Sequence, residues 1–556
     1  MNDAATNSGF QLLDYIAIVG YLGVTFWIAY RANKRQTDTE DFFLGGRRMP
    51  WFAVGLSIMA TLLSTNTYLG APGEMIKYGP AYFFGYLAYP FVFLVVGFLW
   101  VPFFMRLHLT SAYEYLERRF DYRARMFANL LFLGLRLGWM SMVVYTASMA
   151  MVTMMPEPLT SVSEALGFSR PIYFVIVSVG LAATIYGSVG GIRAVIWTDV
   201  LQAVMLFGGV ALIIGYVMLV ERTGVGTWWH TLTTHAEHPP QVVWFTSDIA
   251  ERSTVAWGFI SILFWNACTH CCDQVALQRY FATKSLSAAR RSFIVNVVSA
   301  ASIGMLLALS GLALRYFYMQ HPDHLPEGVT PTSGADKLMP LFFSFELPMG
   351  CAGLILVSFL CDAMQTLGSG VNSIAAIINR DMAQHGDARL ARGLRSAQVT
   401  TLGVGIATTF LAVAAASYAM RAGTTIFDML PRMFNMFLGP LAVMFMVGMF
   451  MPRATGRIIF VVTVITQLFS SIWSWWGDVP VLLQYVGLSG AADSWTSLLG
   501  VDSLGNPRTP SVMLAVAAPT VFGLVLGAVI SALFGNTQHA GVEYTRAQVM
   551  RRPVES

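Results

Sequence analysis

Thirteen apolar segments, each long enough to cross about 30 Å of hydrocarbon, recur along the 556-residue chain. They lie near 12–30, 52–75, 82–105, 126–154, 172–190, 195–220, 255–278, 291–316, 350–378, 396–419, 424–450, 457–477 and 511–534. Hydrocarbon offers no partner for a backbone N–H or C=O. A chain with this pattern therefore folds as helices that close their hydrogen bonds internally. Only 12% of the residues are charged, against roughly 25% in soluble domains. The expectation is an all-α polytopic protein embedded in a lipid bilayer. The first segment is too long, and lacks the basic front and small-residue cleavage site, to be a signal peptide.

The basic residues set an orientation. Arg31, Lys34, Arg35, Arg47 and Arg48 fill the first loop, and Arg106, Arg118, Arg119, Arg123 and Arg125 the third. Further clusters on that side are Arg279–Arg291, Arg380–Arg395, Arg453 with Arg457, and Arg546–Arg552. The opposite loops hold only scattered cations such as Lys77, Arg170 and Arg222. Positive residues favour the cytoplasm, so the N-terminus is expected outside and the C-terminus in the cytoplasm. The long outer loops 221–254, 317–349 and 478–510 contain no recognisable domain, and the tail 535–556 is too short for one. That counts against a transporter-like sensor with its own signalling domain. No nucleic-acid or phosphate-binding signature is present, and no paired acid/base or nucleophile constellation points to an enzyme. Cys268, Cys271, Cys272, Cys351 and Cys361 all lie in predicted spans and form no disulfide framework.

Two segments are unsuited to a continuous helix. Residues 55–73 (GLSIMATLLSTNTYLGAPG) carry the polar run Ser64–Thr67 and then Gly70, Pro72 and Gly73, each of which disfavours helix. About two hundred residues on, Asn266–Gln274 (NACTHCCDQ) interrupts a second apolar segment. Broken membrane helices are tolerated where they are buried in protein or line a cavity, and inverted-repeat transporters place one in each half. A kink made for packing is the alternative.

Charges within spans point to the bundle interior, since each costs at least about 2.5–3.5 kcal/mol at mid-bilayer. Asp362 heads a stripe with Gln365, Thr366, Ser369 and Ser373 at helical spacing. Oxygen donors of this kind suit a small hard cation, or a polar helix–helix contact. Asp199, near the cytoplasmic start of a span, reads equally as a cation ligand or an interfacial cap. Arg136, eleven residues into its span, is expected to pair with Asp199 or Asp362, or to meet an anionic substrate.

An ordered set of motifs resembles the sodium:solute symporter family, which includes sodium–glucose, proline, sialic acid, iodide and multivitamin carriers. The motifs are Asp41–Arg47 (DFFLGGR), Arg106–Glu117 (RLHLTSAYEYLE), Gly190–Gln202 (GGIRAVIWTDVLQ), Asp273–Tyr280 (DQVALQRY), Gly370–Ser373 with Arg380–Asp381, and Gly439–Leu441 leading to Gly448–Phe450. The second motif looks most like the iodide/multivitamin/monocarboxylate branch.

The resemblance implies a leucine-transporter-type five-plus-five inverted repeat with a discontinuous first helix in each repeat. The repeats fall at 52–220 and 255–450, separated by the outer loop 221–254. Residues 1–51 precede them, and 451–534 add further helices before the tail. The family holds a sodium ion between the first and eighth core helices. By match, its ligands are the carbonyls of Ala60 and Leu63 with oxygens at Asp362, Gln365 and Thr366. The family usually has a small residue and two hydroxyls at the last three positions, so the site is altered here, and proton coupling or cation independence are alternatives. In some members an aspartate matching Asp199 serves a second sodium with hydroxyls near Thr366 and Ser369. Solute contacts map to Asn66, Thr67, Asn266, Thr269 and His270, with Trp139 and Asn435 as further lining. Sugar carriers have an acid where Asn66 stands, so a sugar is not indicated. The implied activity is sodium-coupled import of a small organic solute by alternating access.

Overall fold

The computed structural model describes residues 11–33, 45–107, 109, 111–186, 192–234, 242–385, 394–485, 488–500, 508–537 and 540–551. Lys34, Arg35, His108, Thr110, Arg389, Arg392 and Arg552 lie outside these residues, as do 41–44 and 190–191 of the family motifs. Every regular element among the described residues is helical. The principal ones are α1 (Leu12–Asn33), α2 (Trp51–Tyr78), α3 (Ala81–Arg106, built from short helical pieces), α4 (Tyr122–Met154), α5 (Pro171–Tyr186) and α6 (Ile192–Val220). They continue with α7 (Val255–Cys272), α8 (Gln274–Phe281), α9 (Leu286–Gln320), α10 (Ala335–Phe345), α11 (Cys351–His385) and α12 (Leu394–Ala422). The last three are α13 (Ile426–Phe450), α14 (Gly456–Ser474) and α15 (Val512–Phe534).

Eleven helices among the described residues are long and apolar enough to cross a membrane. Shorter apolar stretches, Leu12–Ile28 and Pro171–Thr184, stand where the sequence placed two further spans. Large apolar side chains remain exposed on several helices, including Val19 at 69%, Phe410 at 71% and Leu533 at 70%. In water such surfaces would be a liability; against lipid they are the expected exterior of a membrane bundle.

The chain divides into two compact units. The first comprises Met1–Pro80, Leu137–Gln241 and Gln278–Met429. Its central element is α2, which packs closely on α9. A Cβ added at Gly55 would lie 2.4 Å from the Ser292 carbonyl oxygen, and one at Gly311 would lie 2.7 Å from that of Pro72. Only glycine lets the two backbones approach this far. Asp14 of α1 accepts from the N–H groups of Gly350 (2.9 Å) and Gly353 (2.8 Å), capping the start of α11. A carboxylate suits the orphan donors and positive dipole end found there.

The second unit comprises Ala81–Arg136, Val242–Leu277 and Leu430–Ser556. Here α3 meets α7 where a Cβ at Gly85 would fall 2.3 Å from the Gly258 carbonyl carbon. Gly523 and Gly527 of α15 pack on Val443 and Val447 of α13, in keeping with glycines four apart acting as a packing face. Arg119 is fully buried, and its guanidinium donates to the carbonyls of Gly448 (2.9 Å) and Met451 (3.0 Å) at the end of α13. A residue counted among the cytoplasmic cations thus closes a helix C-terminus.

Candidate functional site

In the first unit the break in α2 falls at Ser64, whose φ of 45° and ψ of 167° leave the helical region. Positive φ is uncommon for a residue with a side chain and marks local strain. The break does not lie at the Gly70–Gly73 stretch that the sequence also marked. The helix runs on through Pro72 to Tyr78. The two glycines are instead places of close approach: a Cβ at Gly70 would lie 3.2 Å from Ile426 and one at Gly73 would lie 2.1 Å from Asp336.

The interruption frees backbone groups on both sides. In an unbroken helix the Thr65 N–H would bond the Thr61 carbonyl. Here it donates to Asp362 Oδ2 at 2.7 Å, and the Thr65 hydroxyl donates to the same oxygen at 2.5 Å. Asp362 of α11 therefore caps the second half of the broken helix. Ala60 and Leu63, both buried, occupy the last turn before the break. Gln365 and Thr366 are buried on the same face of α11. Neither Gln365 Oε1 nor Nε2 has a hydrogen-bond partner, and the residue lines a cavity with Leu22 and Thr25 of α1. A buried amide without partners is costly. The Ser369 and Ser373 hydroxyls donate to carbonyls of their own helix, Thr366 (3.2 Å) and Ser369 (2.8 Å), which leaves their oxygens able to accept.

Asp199 of α6 is buried and charge-compensated. Its Oδ2 accepts from Ser57 Oγ at 2.5 Å, Thr61 Oγ1 at 3.3 Å and Arg279 Nη2 at 3.1 Å. Arg279 also donates to Ser57 (2.8 Å) and Thr61 (2.6 Å). Asp199 is thus bonded to the first half of α2, before the break, and to α8. The hydroxyls of Ser57 and Thr61, four apart on one helical face, were the available sequence signal for this cluster. On the second half of α2, Asn66 Oδ1 accepts from Thr146 at 2.9 Å, while its Nδ2 is buried without a partner. Thr67 is half-buried and Trp139 is buried.

In the second unit α7 continues unbroken through Asn266, Thr269 and His270, and ends at Cys272. The interruption falls at Asp273, which is extended at φ −79° and ψ 116° before α8 begins. The polar residues 266–272 do not break the helix, and two of them, Asn266 and Cys272, bond back to its own carbonyls. Asn266 Nδ2, for example, donates to the Ile262 carbonyl at 2.8 Å. Arg136 pairs with Asp273 rather than with Asp199 or Asp362; both members are almost fully buried. The acid sits at the break itself, where extended backbone lets it reach α4. His270 is fully buried, and Thr269 Oγ1 is buried without a hydrogen-bond partner. Asn435 is half-buried and accepts from Trp265 Nε1 at 3.2 Å.

A sequence profile of the sodium:solute symporter family matches residues 42–464. The sodium/sialic acid symporter SiaT of Proteus mirabilis is 31% identical over 469 residues, covering 83% of this chain and 90% of that protein. Human sodium-coupled monocarboxylate transporter 1 is 28% identical over 455 residues, covering 80% of this chain and 70% of its own length. Among solved structures, the substrate-bound outward-open state of a Na+-coupled sialic acid symporter matches with a TM-score of 0.73 at 25% identity. That match covers 95% of this chain and 99% of the other.

Proposed function

Because the chain belongs to the sodium:solute symporter family, we propose that this multi-pass membrane protein couples inward sodium movement to import of a small organic anion, a carboxylate in the first instance. Sialic acid and monocarboxylates, named for two of its relatives, share that group. The arrangement is read as thirteen spans with the N-terminus outside and the C-terminus cytoplasmic. Its core is read as two inverted repeats, 52–220 and 255–450.

The observation that carries the reading is the break at Ser64 with Asp362 and Gln365 in the same unit. The freed carbonyls of Ala60 and Leu63, with oxygens of Asp362, Gln365 and Thr366, would hold one sodium ion. Asp199, Thr366 and Ser369 would serve a second, in competition with Arg279. Sodium bound across the break braces α2 against α11 and favours the state that receives solute. By the family match, Asn66, Thr67 and Trp139 are the candidate solute contacts of the first unit, and Asn266, Thr269, His270 and Asn435 those of the second. Arg136 is engaged by Asp273, so anion recognition would fall to neutral donors such as the unpartnered Asn66 amide.

The test is uptake into proteoliposomes under an inward sodium gradient, with choline as the control. Sodium-dependent uptake of a carboxylate solute, competed by other carboxylates and not by neutral sugars, is the expected result. Equal uptake in sodium and in choline rejects sodium coupling through these residues. Asp199→Asn should raise the sodium concentration for half-maximal uptake more than it raises the solute KM; the reverse ranking removes Asp199 from the cation path.

A further inference from the structure

The geometry points to a transition-metal site of the Zn2+ class in the first unit, built from His321, Asp323 and His324 and remote from the helix breaks. One donor atom from each of these residues lies within 4.8 Å of the others. The turn Pro322–His324 directly follows α9 and brings the three residues onto one short corner.

A second observation points the same way. Each imidazole has one nitrogen held by a glutamate from a different segment. His321 Nε2 lies 2.9 Å from Glu221 Oε1, just past the end of α6. His324 Nδ1 lies 2.9 Å from Glu346 Oε1, just past the end of α10. Metal-ligating histidines almost always donate their second N–H to a carboxylate or carbonyl, which fixes the ring and raises its basicity. Here both rings are held in that way, and His324 Nε2, the nitrogen left over, is 4.0 Å from Asp323 Oδ2. Phe317 packs against both rings, with centroids 4.7 and 6.0 Å away, so the imidazoles are ordered from behind as well.

The donor set is two imidazoles and a carboxylate. It suits zinc, copper or nickel and not magnesium or calcium, which prefer oxygen alone. With ligand bonds of about 2.0–2.1 Å, a tetrahedral ion needs donors roughly 3.4 Å apart. The side chain of Asp323 is 82% exposed and free to close that distance. With water completing the coordination, a bound ion would clamp the ends of α6, α9 and α10 together.

The experiment uses the tag-free full chain in detergent, titrated with Zn2+ and followed by calorimetry and by thermal unfolding. Saturable binding of one equivalent with a raised midpoint is expected, with no response to Mg2+ at the same concentration. His321→Ala and His324→Ala should each weaken binding by at least about tenfold, and Glu221→Gln or Glu346→Gln by about 10–100-fold. Absence of a saturable zinc response, an equal response to Mg2+, or unaltered affinity in the histidine variants overturns the site. Should a histidine variant fail to fold, Asp323→Asn on its exposed side chain decides. A loss of about tenfold or more supports the site, and unchanged affinity overturns it.

Discussion

Asp362 shows how one side chain decides what a break can become. A small residue at this position would leave the Thr65 N–H without its carboxylate partner. Asp362→Ala removes the acceptor of two hydrogen bonds, and losing a helix cap of this kind costs about 1–2 kcal/mol. A midpoint lowered in thermal unfolding is the expected result, with Asp362→Asn recovering part of it. Asp199 belongs to a different case, since it shares its burial with a cation. Asp199→Asn leaves the Arg279 charge uncompensated, and breaking such a pair costs about 3–5 kcal/mol. The double variant Asp199→Asn/Arg279→Gln should therefore be more stable than Asp199→Asn alone by chemical denaturation. The cost of a charge in hydrocarbon singled out Asp362 in the sequence, whereas Asp199 read equally as a cation ligand or an interfacial cap; both are buried. Their partners were hidden because Ser57, Thr61 and Thr65 are common in membrane helices, and because Arg279 lies 80 residues from Asp199 along the chain.

At the level of elements, the order of helices was legible because apolar length is a strong signal. Both breaks fall within the stretches the sequence marked, but the residue at which each occurs was not legible. Pro72 and Gly70–Gly73 look like breakers in a local reading, yet the helix passes through them, and the bend falls on Ser64. Backbone contact with α9 and the cap from Asp362 outweigh local propensity there. Gly55→Val should confirm the first of these forces. Branched carbon driven into the Ser292 carbonyl overpacks the interface by about 1–3 kcal/mol, visible as a lower unfolding midpoint.

The helix α10 adds a pH dependence. Asp336 accepts from the Ile426 N–H at 2.8 Å and so caps α13. Burial pushes its carboxyl up to about 7, opposed by the Ile426 N–H and Lys77 and reinforced by Asp428 and Glu74. A carboxyl raised in the folded state is stabilising when protonated. That contribution is present in full below about pH 4 and is lost as pH rises through about 7. Unfolding midpoints should fall between about pH 4 and 7, and Asp336→Asn, which keeps an acceptor oxygen, should flatten that fall.

For the molecule as a whole, membrane character and family were readable from the pattern of apolar segments and an ordered set of motifs. Solute identity was not, because the residues matched to it are amides, hydroxyls and one imidazole, donors and acceptors that many solutes satisfy. Sodium should raise the unfolding midpoint of the purified protein where choline does not, by an amount that grows as RT ln(1 + [Na+]/Kd). A carboxylate solute should raise it further only with sodium present.

Arg279 has a consequence for how turnover is counted. Its guanidinium gives Asp199 a counter-ion that never leaves the protein. If a sodium ion binds Asp199 as proposed, it competes with that resident charge, and the electrical stoichiometry depends on which of the two prevails. Current recorded per mole of solute reads the outcome directly: one fewer positive charge travels in each cycle if the arginine keeps its place.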